Sequence, residues 1–312
     1  MSSTLSLAKP HIAYLINAEI DRSKWDACID KAANGLIYGY SFYLDHMAKH
    51  WDGLVLGDYE MVMPLTWNKK YGTCYLYQPP FTASLGVFGK DVSAALLNDF
   101  LEAIPKKLRY WDIYLNHGNF FQLPGFNLYE RVNYILRLNE TYENIYSRYR
   151  DNIKRNIKKS EQSKDILKKN IDVGEVILLA KEQLQHLETP SNTDLEQFKK
   201  LYAVLYEKEK ATTYGIYTAD GQLAASAVFF FSHTRAYYIL VGNHPNGKTS
   251  GASHALINAF IKDHAGQNII LDFEGSDIRN LAFFYSSFGG VEEKYAAIRL
   301  NRLPFYARWL KG

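Results

Sequence analysis

Two carboxylates near the C-terminal end of the chain have the type and spacing expected of a general base and its neighbour. They are Asp272 and Glu274 in the run LDFEGSD, where an apolar stretch ends and a glycine follows. Residues two apart in a strand share one face, so both carboxylates would point to the side opposite Phe273. A carboxylate at the end of a central strand can take a proton from an attacking ammonium. We expect Glu274 to be the base and Asp272 a second catalytic candidate. The alternative is that one carboxylate caps the next helix and the other forms a salt bridge.

A second stretch is rich in cations and suggests an anionic partner. It is YRDNIKRNIKKSEQ, starting at Tyr149, and its basic residues are Arg150, Lys154, Arg155, Lys158 and Lys159. If residues 142–160 form one helix, tyrosine and isoleucine recur every three or four positions as an apolar stripe, with two basic ridges beside it. The anion could be nucleic acid, cofactor phosphates or an anionic lipid, and a solvated helix face is the alternative.

Composition narrows these choices. The 312 residues carry a formal net charge of only +3, and the sequence has no base-reading motif, which argues against duplex DNA as a partner. The two cysteines, Cys28 and Cys74, show neither metal-ligand nor CxxC spacing, so we expect no metal site and no disulfide framework. There is no signal peptide pattern and no run of about 18 apolar residues. We therefore expect a soluble cytoplasmic protein without a transmembrane segment or a permanently bound cofactor.

The elements that must position these residues follow a repeated order. In the second half, three β-rich runs separated by turn residues precede a helix, a short strand, a second helix and a last strand, with predicted bounds of 212–218, 223–231, 236–241, 252–264, 268–273, 277–287 and 293–300. The first half repeats this order more loosely, beginning with a hairpin around Gly57 and Asp58. This pattern predicts a degenerate internal repeat, and two unrelated α+β halves are the alternative.

The element order and specific residues resemble those of GCN5-related N-acyltransferases. The doubled order is similar to that of the Fem-type aminoacyltransferases that build peptidoglycan bridges, most specifically at RNIKKSEQ and LDFEGSDIRNLAFFYSSFGGVEE. The resemblance covers nearly the whole chain. It implies an α+β fold of two tandem acyl-CoA N-acyltransferase-like domains, with mixed central sheets flanked by helices. We expect a degenerate N-terminal domain at 1–140, a helical linker at 141–206 packed on the second domain, and a C-terminal domain at 207–312.

The resemblance also implies roles for further residues. Acyl-CoA-dependent members bind pyrophosphate at a loop before a helix, where this chain has Lys248, Gly251 and Ser253. An ordinary strand-to-helix turn is the alternative. A tyrosine in Tyr-x-x-x-Gly protonates the leaving thiolate in the single-domain acetyltransferases, and Tyr285 with Gly289 fits that pattern. Fem-type enzymes have a lysine there that contacts the phosphates of a cell-wall precursor, so Tyr285 puts that substrate in doubt. The alternative for Tyr285 is a core or rim position.

Substrate-binding residues are implied at two more places. Arg155 and Lys159 correspond to the basic helix of the family. The loop QPPFTASLGVFG corresponds to one that walls the substrate channel in Fem-like relatives, which makes Gln78, Phe81 and Tyr77 lining candidates. A long loop packed by its own aromatic side chains is the alternative.

These features support an N-acyltransferase as the leading hypothesis. An amine, from a small-molecule or cell-wall-type acceptor, would attack an activated acyl group directly in the cleft between the two domains. The Tyr285 pattern and the Lys248 loop favour acyl-CoA as the donor, whereas the doubled layout and the basic stretch favour aminoacyl-tRNA and hence a tRNA partner. The alternative is a non-catalytic binding protein that retains the fold and an anion-binding cleft.

Overall fold

The computed structural model describes residues 11–183, 190–245, 250–275 and 277–303. The chain divides into two compact units. Unit 1 consists of the residues up to Arg131 together with those from Tyr295 onward, and unit 2 runs from Val132 to Lys294.

Unit 1 is built on a sheet in the order β1-β2-β3-β4-β6-β13, in which only β4 and β6 are parallel. Its elements are β1 (Ile12–Leu15), α1 (Arg22–Lys31), α2 (Ser41–Met47), β2 (His50–Leu56), β3 (Met61–Lys70), β4 (Thr73–Tyr77), β5 (Phe88–Gly89), α3 (Ala94–Ala103), β6 (Leu108–Tyr114) and, from residue 295 onward, β13 (Val291–Asn301). The short β5 pairs with β3. Alternate residues of the central strands face α3. Leu54, Leu65, Leu76 and Trp111 of the strands form a core with Phe100 of α3.

Unit 2 has a sheet in the order β7-β12-β11-β10-β9-β8, in which only β11 and β12 are parallel. Its elements are β7 (Leu128–Arg137) from residue 132 onward, α4 (Tyr142–Ser147), α5 (Asp151–Gln162), β8 (Ile166–Lys169), α6 (Val173–Gln183), α7 (Asn192–Glu207), β9 (Ala211–Tyr217), β10 (Leu223–Ser232), β11 (Arg235–Asn243), α8 (Ala252–His264), β12 (Ile270–Asp272) and α9 (Arg279–Ser286). The core between sheet and helices is aromatic, with Phe229 stacked on Phe260 at 3.8 Å between ring centroids.

The unit boundaries differ from the three-part division expected from the sequence. The helices of the expected linker belong to unit 2, which begins at Val132. The strand β7 follows β6 in the chain but pairs with β12 in unit 2, and β13 follows β12 but pairs with β6 in unit 1. Each sheet is therefore completed by a strand from the other half of the sequence. Such long-range pairing leaves no signal in local hydrophobic patterns, so the sequence offers no boundary at residue 132 or residue 295.

Residues 142–160 lie on two helices, α4 and α5, rather than on the single helix considered from the sequence, and most of the basic stretch lies on α5. The backbone of Arg150 is extended, with φ −67° and ψ 154°, and its N–H donates to the Ser287 carbonyl at 2.9 Å. This contact ends the helical hydrogen-bond ladder between α4 and α5. The apolar stripe is nevertheless present, because Ile145, Ile153 and Ile157 are all buried. Among the described residues, no helix is both long enough and apolar enough to span a membrane.

Candidate functional site

The parallel strands β11 and β12 separate after a short stretch of pairing. Pairing ends where Tyr237 faces Asp272, and β12 stops there while β11 continues to Asn243. The chain after β12 stays with β7 instead, because the Phe273 N–H donates to the Tyr134 carbonyl at 3.0 Å. Beyond Tyr237 the second half of β11 is therefore no longer paired with the segment that follows β12, and we call this gap in the pairing the opening between β11 and β12.

Three aromatic rings stand at this opening. The ring of Phe273 stacks on Tyr285 of α9, with centroids 4.5 Å apart, and meets Tyr238 of β11 edge-on at 6.3 Å. Neither tyrosine hydroxyl has a hydrogen-bond partner among the described residues. Burial raises the pKa of both phenols well above the ordinary value, and the negative charge of Glu274 adds to the rise at Tyr285. Both groups are therefore neutral hydrogen-bond donors at physiological pH.

The turn after β12 carries Glu274 in a conformation that non-glycine residues seldom adopt. Its φ is +64°, and that of Gly275 is +85°. Two side-chain oxygens hold this backbone: the Glu274 N–H donates to Asp272 Oδ1 at 3.0 Å, and the Gly275 N–H donates to Asn133 Oδ1 at 2.5 Å. A left-handed backbone of this kind persists only where its surroundings determine it, and such positions cluster at functional sites. The structure thus places the expected base just beyond the strand end, within electrostatic reach of Tyr285.

Asp272, the second carboxylate expected to be catalytic, is buried in a network of polar contacts. Its side chain accepts hydrogen bonds from Arg235 Nη1 at 2.8 Å and from Asn133 Nδ2 at 2.8 Å, and the residue is 4% exposed. The same guanidinium also binds Glu293 at 2.5 Å. Both oxygens of Asp272 are therefore occupied, because an ion pair buried this deeply must satisfy its polar atoms internally. The structure therefore shows the salt bridge that was considered as the alternative for one carboxylate, and a catalytic role for Asp272 stays a prediction.

The expected phosphate-binding loop precedes α8, and its described part lies at the helix start. Gly251 is the N-cap residue with φ +86°, and its carbonyl accepts from the N–H groups of His254 and Ala255. The N–H groups of Ala252 and Ser253 are then the ones that have no acceptor within the helix. The Ser253 hydroxyl donates to Asn243 Oδ1 at 2.5 Å, so this residue offers a ligand its backbone rather than its side chain. Lys248 lies outside the described residues.

The helix α5 runs in close contact with the start of α8. A Cβ atom built on Gly251 would lie 2.2 Å from the Asn156 carbonyl oxygen, so the two backbones touch at this point. Arg155 and Lys159 are exposed on α5 and have no ion-pair partner among the described residues. The structure thus brings the expected basic residues onto the helix that borders the expected phosphate loop. A cation one residue from this contact adds to the positive end of the α8 dipole.

His254, in the first turn of α8, packs between α5 and α9. Its Nε2 is 3.4 Å from Asn156 Nδ2, and its ring meets Phe284 edge-on at 4.9 Å. Its Nδ1 is buried without a hydrogen-bond partner. Burial lowers the pKa of His254 to about 4, so the imidazole is neutral at physiological pH. This histidine therefore adds no charge beside the start of α8.

The expected lining residues of unit 1 have mainly structural contacts. The Gln78 amide donates to the Thr82 carbonyl at 2.7 Å and accepts from the Tyr114 N–H at 3.0 Å, which closes the loop after β4. The Phe81 carbonyl accepts from the Tyr43 hydroxyl. Gln78 and Tyr77 do border a cleft of about 230 Å³, whereas Phe81 does not.

Several residues at the site were not singled out in the sequence. Tyr238 and Arg235 lie on β11, Asn133 lies on β7 and His254 lies on α8, and none of them carries a motif. Only their neighbours in space give them a role, so sequence patterns could not identify them. Within the described ranges, no group of three or more His, Cys, Asp or Glu side chains is arranged to hold a metal ion.

Comparison with known proteins identifies the fold. The chain matches no family profile and no curated protein sequence. Among solved structures, FemX is similar with a TM-score of 0.63 and 12% identity, over 92% of this chain and 97% of that one. A conserved protein of unknown function from Bacteroides thetaiotaomicron VPI-5482 has a TM-score of 0.56 and 14% identity, over 90% of this chain and 93% of that one. The C-terminal domain of a putative lysylphosphatidylglycerol synthetase from Agrobacterium fabrum has a TM-score of 0.55 and 10% identity, over 93% and 94%. The resemblance to Fem-type proteins is therefore confirmed at the level of structure: this chain shares the fold of FemX over nearly its whole length.

Proposed function

We propose that this protein is an N-acyltransferase that moves an acyl group from an activated donor to an amine. The observation that carries the proposal is the opening between β11 and β12. Two neutral phenols, those of Tyr238 and Tyr285, stand there beside the turn that holds Glu274. Buried polar groups without partners are costly, so hydroxyls left free at an opening are suited to meeting a substrate.

The reaction needs a base, an electrophile held in place and an acid for the leaving group. Glu274 takes a proton from the acceptor ammonium, which frees the nitrogen lone pair to attack the acyl carbon. The new C–N bond forms as the C–S bond of a thioester donor breaks. The Tyr285 hydroxyl gives its proton to the departing thiolate, and the nitrogen loses its second proton as the amide forms, which returns a proton to the Tyr285 oxygen. The edge of β11 beyond Tyr237 offers backbone N–H groups that can hold the acyl oxygen as negative charge develops on it.

The preferred donor is acyl-CoA. Its pyrophosphate would lie at the start of α8, against the N–H groups of Ala252 and Ser253, with Lys248, Arg155 and Lys159 supplying positive charge. Tyr285, in place of the family lysine, suits a thiolate leaving group. Aminoacyl-tRNA is the second possible donor, and the exposed cations of α5 favour it. The acceptor would be a small-molecule or cell-wall-type amine.

Thermal unfolding with candidate donors tests the binding half of the proposal. CoA, acetyl-CoA and a mixed aminoacyl-tRNA pool are added separately. A ligand at about 100 times its dissociation constant stabilises a protein by roughly 2.7 kcal/mol. We expect CoA to raise the unfolding temperature, and the double variant Arg155→Gln, Lys159→Gln to reduce the shift. Lys200→Gln, an exposed lysine on α7, is the matched control. A shift with tRNA alone, falling steeply with salt, would change the donor to aminoacyl-tRNA.

Release of free thiol from acetyl-CoA in the presence of primary amines tests the chemical half. Tyr285→Phe keeps the stacking on Phe273 but lacks the acidic hydroxyl, so we expect turnover to fall by about 10²-fold or more, as for general acids. Tyr149→Phe is the control, because it also removes a buried hydroxyl from unit 2. Equal turnover in both variants would remove Tyr285 from the mechanism. Binding of CoA without thiol release from any amine would favour the non-catalytic binding protein.

A further inference from the structure

A second cavity of unit 2 lies at the opposite end of α8 from the proposed donor site. It has a volume of about 530 Å³ and is bordered by the C-terminal ends of α7 and α8. We call it the α7–α8 cavity and define it by Tyr206, Glu207, Glu209, Tyr214, Phe231 and His264. The helix α8 spans Ala252–His264, so at about 1.5 Å per residue its two ends are roughly 20 Å apart. The cavity is therefore a separate place in the fold.

The walls of the α7–α8 cavity are aromatic. The Tyr206 side chain is 47% exposed and stacks on Tyr202 at 5.6 Å between centroids, which fixes its orientation. Phe231 packs against His264 at 5.8 Å. An exposed, oriented tyrosine presents the negative face of its π system, which attracts cations. A Lys169 ammonium already lies 5.7 Å from the centroid of the Tyr214 ring.

Two carboxylates also border the α7–α8 cavity. Glu207 and Glu209 are exposed and have no ion-pair partner within the described part of the chain. The nearby Asp263 is already compensated, since its Oδ2 binds Lys169 Nζ at 2.7 Å. The intervening Lys208 and Lys210 do not border the cavity and have interactions of their own.

The end of α7 adds negative charge beside these carboxylates. The negative end of the α7 dipole lies at the cavity without a basic residue in its last turn, and a carboxylate there, as Glu207 is, is unfavourable. A bound cation would relieve that repulsion. The last turn of α8 already carries Lys262 and His264. The volume of the α7–α8 cavity, about 530 Å³, is within the range of about 300–1,000 Å³ that is usual for small-molecule sites. It is larger than a bare metal ion requires.

We propose that the α7–α8 cavity binds an organic cation, with the ammonium group between Glu207 and Glu209 and its carbon atoms against Tyr206 and Phe231. The site is independent of the proposed transfer reaction, because none of its residues belongs to the opening between β11 and β12. It would hold a second ligand while the donor site is occupied or empty.

The test compares a cation with its neutral isostere on the full-length protein. Choline and 3,3-dimethylbutan-1-ol have nearly the same shape, and only choline is charged. Binding of each is followed by ligand-observed NMR at low salt. We expect choline to bind at millimolar concentration and the alcohol to bind at least about fivefold more weakly, the factor expected for a cation–π contact with carboxylate support. Equal binding of the two probes, or no binding of choline, would overturn the proposal.

Variants locate the binding. We expect the double variant Glu207→Gln, Glu209→Gln to weaken choline binding at least fivefold, and Tyr206→Leu to weaken it while Tyr206→Phe does not. Glu196→Gln, an exposed carboxylate near the other end of α7, should bind choline like the parent protein. All of these positions are exposed, and thermal unfolding checks that each variant folds. If the double variant binds choline as tightly as the parent, the site is elsewhere and the proposal fails.

Discussion

The contact between α5 and α8 can be tested at one glycine. Gly251 combines two requirements: its φ of +86° is left-handed, and a Cβ added to it would lie 2.2 Å from the Asn156 carbonyl oxygen. Cβ atoms essentially never approach other atoms closer than 3.0 Å. Replacing Gly251 by alanine therefore requires the two helix backbones to separate by about 1 Å, because a backbone carbonyl cannot rotate away as a side chain can.

The expected cost of Gly251→Ala has two parts. A left-handed alanine costs about 1–2 kcal/mol, of which about 0.4–1 kcal/mol is returned by the stiffer unfolded chain. The forced separation of packed backbones adds about 1–3 kcal/mol, by analogy with overpacked cores. The sum is a loss of about 1–4.5 kcal/mol in the free energy of unfolding.

Gly266→Ala separates the two parts. Gly266 has nearly the same φ, +81°, but nothing lies within 4 Å of the added Cβ. We expect urea unfolding to show a loss of only about 1 kcal/mol or less for this control. The difference between the two variants then measures the close approach. Equal losses in Gly251→Ala and Gly266→Ala would show that α5 and α8 are not in backbone contact, and would refute the placement of the basic helix beside the start of α8.

Three further predictions concern buried polar groups in unit 2. Burial lowers the pKa of His254 to about 4 in the folded state. As the pH falls, the imidazole is therefore protonated in the unfolded chain before it is protonated in the folded protein. We expect the free energy of unfolding to decrease by on the order of 3 kcal/mol between about pH 6.5 and pH 4. His254→Phe should reduce the slope of unfolding free energy against pH in that window, and an unchanged slope would contradict the assignment. Arg235→Met should lower the free energy of unfolding by about 3–5 kcal/mol, because it leaves two carboxylates buried without their cation. Arg299→Met, at an exposed ion pair, should lower it by less than about 1 kcal/mol. Similar losses for the two variants in chemical denaturation would argue against the buried network. Tyr149→Phe should be neutral or stabilising by up to about 1 kcal/mol, because its buried hydroxyl has no partner, and a clear loss of stability would mean that the hydroxyl is hydrogen-bonded.

Local patterns predicted most of the elements and failed where distant segments decide the structure. The helix expected over 252–264 is observed as Ala252–His264, and the strand expected over 293–300 as Val291–Asn301, because amphipathic and alternating patterns report burial directly. The exchange of β7 and β13 between the two sheets could not be predicted, since either strand fits either edge by pattern alone. The break at Arg150 also depends on a distant partner, the carbonyl of Ser287.

The candidate site was predictable in part for the same reason. A strand end and a short motif predicted roles for Glu274 and Tyr285, and the structure brings both residues to the opening between β11 and β12, while their catalytic roles stay predictions. The two carboxylates of LDFEGSD look equivalent in sequence, yet Arg235 occupies Asp272 and leaves Glu274 at the turn. Which carboxylate pairs with the arginine depends on a strand that precedes them by more than thirty residues. Periodicity alone therefore cannot separate an anchor from a base.

The buried network gives a physical reason for the position of Glu274. The guanidinium of Arg235 fixes the carboxylate of Asp272, and Asp272 Oδ1 in turn accepts from the Glu274 N–H. Asn133 joins the same chain of contacts, since it donates to Asp272 and accepts from Gly275. A left-handed glutamate costs about 1–2 kcal/mol, so without these acceptors the turn would relax and the carboxylate would move. A residue that a fold holds in this conformation beside an open strand edge is positioned rather than merely exposed, which is the structural basis for choosing Glu274 over Asp272 as the base.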